Sequence, residues 1–215
     1  MAYNFAEGSR FYFSNTLAAA KTVTAATNAD PSVLSSTSHG YADGDILLFS
    51  SGWEDATDSL WKADQLTADT FSLLGLNSTD TNFYPAGSGT GTTQKISGWT
   101  EIPQVLSVST TGGDARFTNV DLLAKRNSLA VPTGFNAANL TLTLAHDPTN
   151  ANYQSMLTIA RALSKVGLKI VLGGGSVAYG YGYLSVSEMP NISRNQVNQV
   201  NAAFSIIGRL VSYSS

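Results

Sequence analysis

Short hydrophobic segments that alternate with polar residues run through most of the chain, and they predict a protein built mainly of β-strands. The clearest is NLTLTLAH at 139–146, where Leu140, Leu142 and Leu144 fall on one face and the two threonines on the other, as in a half-buried strand. Turn-forming residues separate the segments. The other predicted strands lie at 9–16, 21–26, 46–50, twice within 60–76, and at 99–110, 116–123, 168–174, 177–189 and 201–214.

One segment has helical spacing instead. Residues 147–167 begin with Asp147, which is suited to an N-cap, and Pro148, which is suited to the first helical position. Lys165 in the last turn and Gly167 at the end are typical of a helix C-terminus. The predicted apolar stripe, at spacings of three or four residues, comprises Tyr153, Met156, Leu157, Ala160 and Leu163. We therefore predict a mainly β fold with one α-helix.

Two further segments are unusual. Residues 124–139 contain no clear periodicity and are longer than most connections, which predicts an irregular loop that is either functional or disordered.

The glycine-rich GGGSVAYGYGY at 173–183 lacks the Lys-Ser/Thr and the following helix of a phosphate-binding loop. As a strand, it places Tyr179, Tyr181 and Tyr183 on one face, which predicts packing or an interface. The glycines on the other face allow a second backbone to approach closely.

Charge divides the chain into two parts. Charged residues make up only 13% of the sequence, the net charge is −3, and there is no cysteine. Residues 18–97 hold three lysines and nine acidic residues, whereas residues 98–215 hold eight basic and five acidic residues. A Gly/Ser/Thr-rich segment at 85–93 has the composition of a linker. The uneven charge predicts two structural units, and the negative net charge predicts no overall basic field that attracts nucleic acid.

The sequence offers no catalytic constellation. His39 and His146 are the only histidines, they fall in different units, and a structural role is predicted for both. There are no paired carboxylates or metal-ligand spacings, so we predict no enzyme, no cofactor and no metal site. The first ten residues lack the charge and apolar pattern of a signal peptide, and no apolar stretch is long enough to span a membrane. These features predict a soluble, cytoplasmically synthesised protein.

Several motifs, in order along the chain, resemble one protein family. They are GSRFYFS (8–14), WTEIPQVLSVS (99–109), NLTLTLAHDPTNANYQSMLTIARA (139–162), and the strands LKIVL, YGYLSV and NQVNAAFSIIGRLVSY that follow. Together they resemble the tail tube (major tail) proteins of long, non-contractile-tailed bacteriophages. The order of the elements carries the resemblance more than any single motif.

The resemblance implies a structural virion protein that forms hexameric rings. These rings stack into a hollow tube through which DNA is ejected, and four strands per subunit join into an inner barrel. The implied partners are other copies of the chain, the tape measure, tail-tip and tail-terminator proteins, and passing DNA without specific binding. There is no membrane partner. The implied location is the phage tail, with assembly in the host cytoplasm.

The family's extended loop corresponds to residues 122–138. The residues expected to be buried only on assembly are Lys125, Arg126, Leu129, Val131, Pro132 and Phe135. An acidic channel would repel passing DNA, but residues 98–215 have a net positive charge, so the sign of the channel is left open. The candidate channel acids are Glu101, Asp114, Asp121 and Glu188.

Residues 18–97 resemble a small β-module found in phage structural proteins and in ubiquitin-activating enzymes. The matching positions are His39, Gly40, Tyr41, Gly44, Asp45, Thr70, Phe71 and Leu73. This implies a tube fold made of residues 1–17 and 98–215, interrupted by an insert at 18–97 that lies on the tube exterior. Insertion at an exposed turn is readily tolerated.

Three alternatives remain open from the sequence. A tail-tip or head–tail connector protein would share the fold but form a single ring. A carbohydrate-binding β-module could stack sugars on Trp53, Trp61 and Trp99. A hydrolase is the third, although no catalytic constellation supports it.

Overall fold

The computed structural model describes residues 7–214, and within them it has eighteen strands and one helix. The first nine strands are β1 (Arg10–Ser14), β2 (Thr16–Leu17), β3 (Lys21–Val23), β4 (Ala25–Ala26), β5 (Ser32–Ser35), β6 (Ile46–Ser51), β7 (Ser59–Gln65), β8 (Thr70–Leu74) and β9 (Gly91–Ser97). The rest are β10 (Thr100–Glu101), β11 (Val105–Thr111), β12 (Ala115–Val120), β13 (Leu129–Phe135), β14 (Asn139–Ala145), α1 (Ala151–Arg161), β15 (Lys165–Val171), β16 (Val177–Val186), β17 (Gln199–Ile206) and β18 (Val211–Tyr213). The predicted fold class, mainly β with one helix, is confirmed.

The main sheet has the strand order β10-β1-β15-β16-β17-β14-β11, with β18 paired to β16, and all its pairs are antiparallel. Alternate residues of these strands form one hydrophobic core with the helix. Leu140, Leu142 and Leu144 of β14 lie in this core, as the alternation predicted. Tyr153 and Met156 of α1 cover it. One face of the main sheet is therefore buried under the helix.

The second sheet is built entirely from residues 16–97. Its order is β2-β9-β6-β7-β8-β5-β4, with β3 paired to β9. Its core contains Trp53, Trp61, Phe49 and Phe71. The assignment of 18–97 as an inserted domain stays a prediction, as does the resemblance of that segment to the small β-module, and residues 1–6 of the predicted tube fold lie outside the described part.

The two sheets pack against each other through the tyrosine face of β16. Tyr181 forms a hydrophobic cluster with Leu48, Leu60 and Ile96 of the second sheet, and Tyr179 packs against it. Gly167 of β15 lies directly under Ile96, where a side chain would collide. Tyr179 and Tyr181 thus form an internal interface, which is one of the two roles the sequence left open, whereas Tyr183 is exposed.

The C-terminal strand ties the sheets together by hydrogen bonds. The backbone N–H of Lys62 donates to the Tyr213 hydroxyl at 2.8 Å, and that hydroxyl donates to the Leu74 carbonyl oxygen at 2.9 Å. The backbone N–H of Arg209 donates to Ser59 Oγ at 2.8 Å. Burial raises the pKa of Tyr213 to about 12. The neutral phenol is therefore the form that holds the contact.

We expect alkaline pH to weaken this attachment. The pKa of Tyr213 is about 12 in the folded chain and about 10 when unfolded, so its stabilising contribution is complete below pH 10. That contribution is lost as the pH rises from 10 to 12. Thermal unfolding measured across this range should show a steeper decline for the wild type than for Tyr213→Phe. Equal slopes would contradict the assignment, and Tyr183→Phe, at an exposed tyrosine, is the control.

The helix is shorter than predicted at its start. Asn150, not Asp147, is the N-cap: its side-chain oxygen accepts from the N–H groups of Asn152 and Tyr153 at 2.9 and 3.2 Å. Asp147 instead accepts hydrogen bonds from the side chain and backbone N–H of Thr149, which lower its pKa. This local turn keeps the residues after Asp147 outside the helix.

The helix also ends earlier than predicted. Leu163 has a φ of +51° and is 77% exposed, so it does not belong to the buried stripe. Lys165 and Gly167 lie in β15 rather than at the helix end, because the chain reverses to pair Gly167 with Ser14 of β1. Tyr153, Met156 and Leu157 of the predicted stripe are buried, and Ala160 is half-buried.

The prediction of an irregular loop at 124–139 was wrong. Residues Leu129–Phe135 form β13, which pairs with β12 as an antiparallel hairpin. Pro132 and Gly134 lie within this strand and disfavour strand structure, so the sequence did not predict it. They are tolerated because both strands of a two-stranded hairpin are edges, where a missing N–H is not costly, and the register shifts beside Pro132.

Four predicted strands are each divided. Residues 9–16 contribute to β1 and β2, and residues 21–26 form β3 and β4. Residues 99–110 form β10 and β11, which are separated by Ile102, Pro103 and Gln104. Residues 201–214 contribute to β17 and β18, which are separated at Gly208, where the backbone lies against the Asp58 carbonyl.

Candidate assembly surfaces

The β12–β13 hairpin is the part of the described chain that most clearly lacks a partner. It forms a two-stranded sheet of its own and pairs with no other strand within residues 7–214. Every residue of β13 is exposed. An isolated two-stranded hairpin is at best marginally stable in water, so this element needs a surface to pack against.

Both faces of the hairpin carry apolar side chains. The cross-strand pairs place Phe117 and Pro132 on one face, and Val120, Leu129 and Val131 on the other. Phe117 is 59% exposed. Exposed apolar groups on a projecting element are typical of a protein–protein contact. Because both faces are apolar, covering only one would leave the other in water.

The six predicted interface residues all lie on or beside this hairpin. Lys125 and Arg126 lie in the connection between the strands. The other four predicted residues, Leu129, Val131, Pro132 and Phe135, lie in β13. All six are exposed, and their burial on assembly stays a prediction.

Sequence reasoning missed four exposed apolar residues of the same surface. These are Phe117, Val120, Leu122 and Leu123. Their signal was a cluster of hydrophobic residues directly before the segment that was predicted to be a loop. The hairpin register was needed to place Phe117 opposite Pro132.

A groove of about 800 Å³ lies at the base of the hairpin. Phe135 borders it from the hairpin side, and Ile206, Ile207 and Leu210 border it from the main sheet. Ile207 and Leu210 are exposed. The apolar surface of the hairpin thus continues onto the body of the protein.

Strand β11 has one edge that pairs with no other described strand. It is seven residues long, lies at the end of the main sheet, and pairs only with β14 among the described strands. Its outer edge carries unpaired backbone groups that can accept a strand from another chain. At the opposite end, β10 is only two residues long.

The four candidate channel acids lie on four separate segments. Glu101 is in β10, Asp114 precedes β12, and Asp121 follows β12. Glu188 follows β16 and forms an ion pair with Arg161 of the helix, with 2.7 Å between Oε1 and Nε. The hydrogen bond from Arg161 lowers the pKa of Glu188. Their role as channel acids stays a prediction.

The structural role predicted for His39 is confirmed. His39 is buried, its ring stacks on Tyr41, and its Nδ1 accepts the Tyr41 N–H at 3.0 Å. Its Nε2–H therefore donates to the Thr67 carbonyl oxygen at 3.0 Å. This ring also packs edge-on against Phe71 in the second core. His146 packs edge-on against Tyr153 beside the first core.

The tryptophans do not form a sugar-binding platform, so that alternative fails on the geometry. Trp53 and Trp61 are buried, and their indole N–H groups donate to the carbonyl oxygens of Pro85 and Ala56. Trp99 packs beside Tyr179 at the junction of the sheets.

Neither a metal site nor a membrane-spanning helix is found in the described residues. No group of three or more His, Asp or Glu side chains there is placed to hold a metal ion. The helix of residues 7–214 is too short to cross a bilayer.

Comparison with known proteins agrees with the geometry. The family described as phage tail tube protein (TTP) matches residues 51–215, most of the chain. This match begins inside the segment that the sequence analysis assigned to an insert. No curated protein matches the chain. The match covers the main sheet from β10 onward, the helix and the hairpin, and the chain therefore belongs to the phage tail tube protein family.

Proposed function

We propose that the chain forms hexameric rings that stack into the hollow tail tube of a phage, through which DNA is ejected. The family match supports a structural role in a tail tube. The observation that carries the ring and stacking proposal is the unpartnered hairpin, apolar on both faces. Its role is mechanical, and no catalytic step is part of the proposal.

In the proposed assembly, the hairpin packs between neighbouring subunits. One face, with Phe117 and Pro132, contacts one neighbour, and the face with Leu129 and Val131 contacts another. Full burial of a large apolar side chain contributes roughly 1.5–3 kcal/mol. A few such residues on each subunit, repeated around every ring, provide a strong driving force for assembly.

The free edge of β11 joins the main sheet to the next subunit. A sheet that continues from chain to chain around the ring closes on itself and leaves no exposed edge. This gives each ring an inner β-barrel. Helix α1 covers the opposite face of the main sheet and packs outside that barrel.

We assign residues 18–97 to an inserted domain on the tube exterior. Supporting this, the second sheet is formed within residues 16–97 and packs on β15 and β16, away from the free edge of β11. Its hydrogen bonds to Tyr213 and Arg209 hold it firmly to the tube fold. The exterior position leaves the channel clear.

The proposed location is the virion tail, after assembly in the host cytoplasm. The proposed partners are copies of the same chain and the tape measure, tail-tip and tail-terminator proteins. DNA passes through without specific binding.

Native mass spectrometry of the purified assembly tests the ring number. We expect a species of six chains and its multiples. A different ring number would overturn the hexamer, and a single ring that never stacks at any concentration would favour a connector or tail-tip protein instead.

A further inference from the structure

The groove at the base of the β12–β13 hairpin exposes part of the core side of the main sheet. Leu140 belongs to the core under the helix and Ile170 packs against it, yet both also line this groove, and no residue of α1 does. The rim is apolar as well: Phe135 is 77% exposed, and Ile207 and Leu210 are exposed beside it. The helix therefore leaves an apolar part of the sheet uncovered. We call the surface bordered by these five residues the base groove.

The far end of the hairpin is also apolar. Leu122 and Leu123 follow β12, and Leu123 is fully exposed. Asp121 precedes the two leucines, and Lys125 and Arg126 follow them. Singly exposed apolar side chains are common, whereas a cluster of them on a projecting element is typical of a protein–protein contact. We call residues 121–126 the hairpin tip.

The tip is too far from the base groove of its own chain to occupy it. The two strands of the hairpin stay paired from Ala115 opposite Phe135 to Val120 opposite Leu129. The six residues of β12, at about 3.3 Å each, place the tip about 20 Å from the groove. The hairpin would have to unpair to bring its leucines back. A second copy of the chain can supply them with the hairpin intact.

The charges of the two surfaces are complementary. Among the described residues that line the groove, Arg209 alone is charged. It is exposed, and its guanidinium donates a hydrogen bond to the Tyr84 hydroxyl at 3.3 Å. Asp121 is the charged residue next to the leucines of the tip, and it is exposed too. Neither Arg209 nor Asp121 forms an ion pair within residues 7–214. Seating the leucines in the groove brings this carboxylate towards this guanidinium.

We propose that the hairpin tip of one subunit inserts into the base groove of a neighbouring subunit. This inference rests on the proposed assembly into a tube, and it names the surface that receives the hairpin. Leu122 and Leu123 of the tip pack on Leu210 of the groove. Asp121 of the tip pairs with Arg209. Because each copy supplies one tip and one groove, the contact is head-to-tail and every subunit uses it twice. It lies on the helix side of the main sheet, apart from the free edge of β11.

The two cations of the tip meet a suitable environment in the same arrangement. Lys125 and Arg126 follow the leucines, so they lie at the rim of the groove. The second-sheet unit adjoins that rim, because Tyr84 contacts Arg209. Residues 18–97 hold nine acidic residues and three lysines. Their net negative charge attracts the cations of the incoming tip.

Cysteine cross-linking tests the contact, because the chain has no cysteine of its own. Leu123→Cys and Leu210→Cys are combined in one chain, and assembled tubes are treated with a short bismaleimide. We expect a ladder of covalently linked chains. The matched control is Leu123→Cys with Met189→Cys, which places the second cysteine at an exposed apolar residue outside the groove. The control should give few linked chains.

Charge exchange tests the pairing of Asp121 with Arg209. Asp121→Arg alone and Arg209→Asp alone should each raise the protein concentration needed for tube formation about tenfold or more, because like charges then meet in the contact. The two changes in one chain should restore assembly. Asp121→Arg with Arg194→Asp has the same net charge, but Arg194 lies outside the groove, so this variant should not assemble. All three side chains are exposed, so thermal melting of the monomers should change little.

The outcomes separate this inference from the proposed function. If the wild-type chain forms no tubes, the proposed function fails. If tubes form but the Leu123→Cys/Leu210→Cys chains link no better than the control, the tip does not occupy the base groove. Normal assembly of both single charge variants, or a double exchange that assembles no better than they do, would also overturn the inference.

Discussion

Tube formation should be lost when Leu129 and Val131 are both replaced by Asp, whereas the fold of the monomer should survive. Both side chains are exposed on one face of the hairpin and belong to none of the hydrophobic cores, so the substitution leaves the core packing intact. Surface changes of this kind usually alter the free energy of unfolding by less than about 0.5 kcal/mol. In an assembly, the same carboxylates would be buried without partners, at a cost of several kcal/mol for each.

Sedimentation measures tube formation, and thermal melting measures the stability of the monomer fold. The matched control is Asn82→Asp with Ser88→Asp, which adds the same charge at exposed positions of the second-sheet unit. That variant should assemble normally if the unit lies on the exterior. Phe117→Asp alters the opposite hairpin face, and it should also block assembly. Normal tubes from Leu129→Asp/Val131→Asp would show that the hairpin is not an interface.

The second large effect is on stability. Gly182 of β16 lies so close to β17 that a Cβ atom there would overlap the carbonyl oxygen of Ser205. Gly182→Ala therefore forces apart two adjacent strands in the centre of the main sheet, and we expect a loss of about 3 kcal/mol or more in the free energy of unfolding. Urea unfolding of the monomer measures it.

Gly180 provides a graded comparison on the same strand and face. A Cβ there would lie 3.2 and 3.3 Å from the ends of the Leu210 and Ile206 side chains, which can move. Gly180→Ala should cost clearly less than Gly182→Ala, and Ser185→Ala, at an exposed position, should cost little. Equal losses at both glycines would contradict the close-approach explanation.

The sequence was informative where one face of a strand is buried. In β14, the alternation of leucine and threonine marks the buried face directly, and the structure agrees. The YGYGY segment likewise predicted a strand with its tyrosines on one face and its glycines on the other. In the structure, Tyr181 packs against the second sheet, and Gly182 allows β17 to approach closely.

The hairpin could not be read in the same way because neither of its strands has a buried face within the described chain. Pro132 and Gly134 disfavour a strand, and no buried face gives β13 a period. The predicted start of the helix was wrong for a different reason. Asp147 and Asn150 are both good caps, and only the local bonds of Asp147 to Thr149 decide between them.

Sequence alone did not show which surface each of the four candidate channel acids joins.

Electron microscopy of the purified protein over a range of concentrations tests whether the chain forms a tail tube. We expect hollow tubes with a regular axial repeat, and averaged images should show six-fold symmetry about the tube axis. A protein that stays monomeric at every concentration, even when the tail-tip complex is supplied as an initiator, would contradict it.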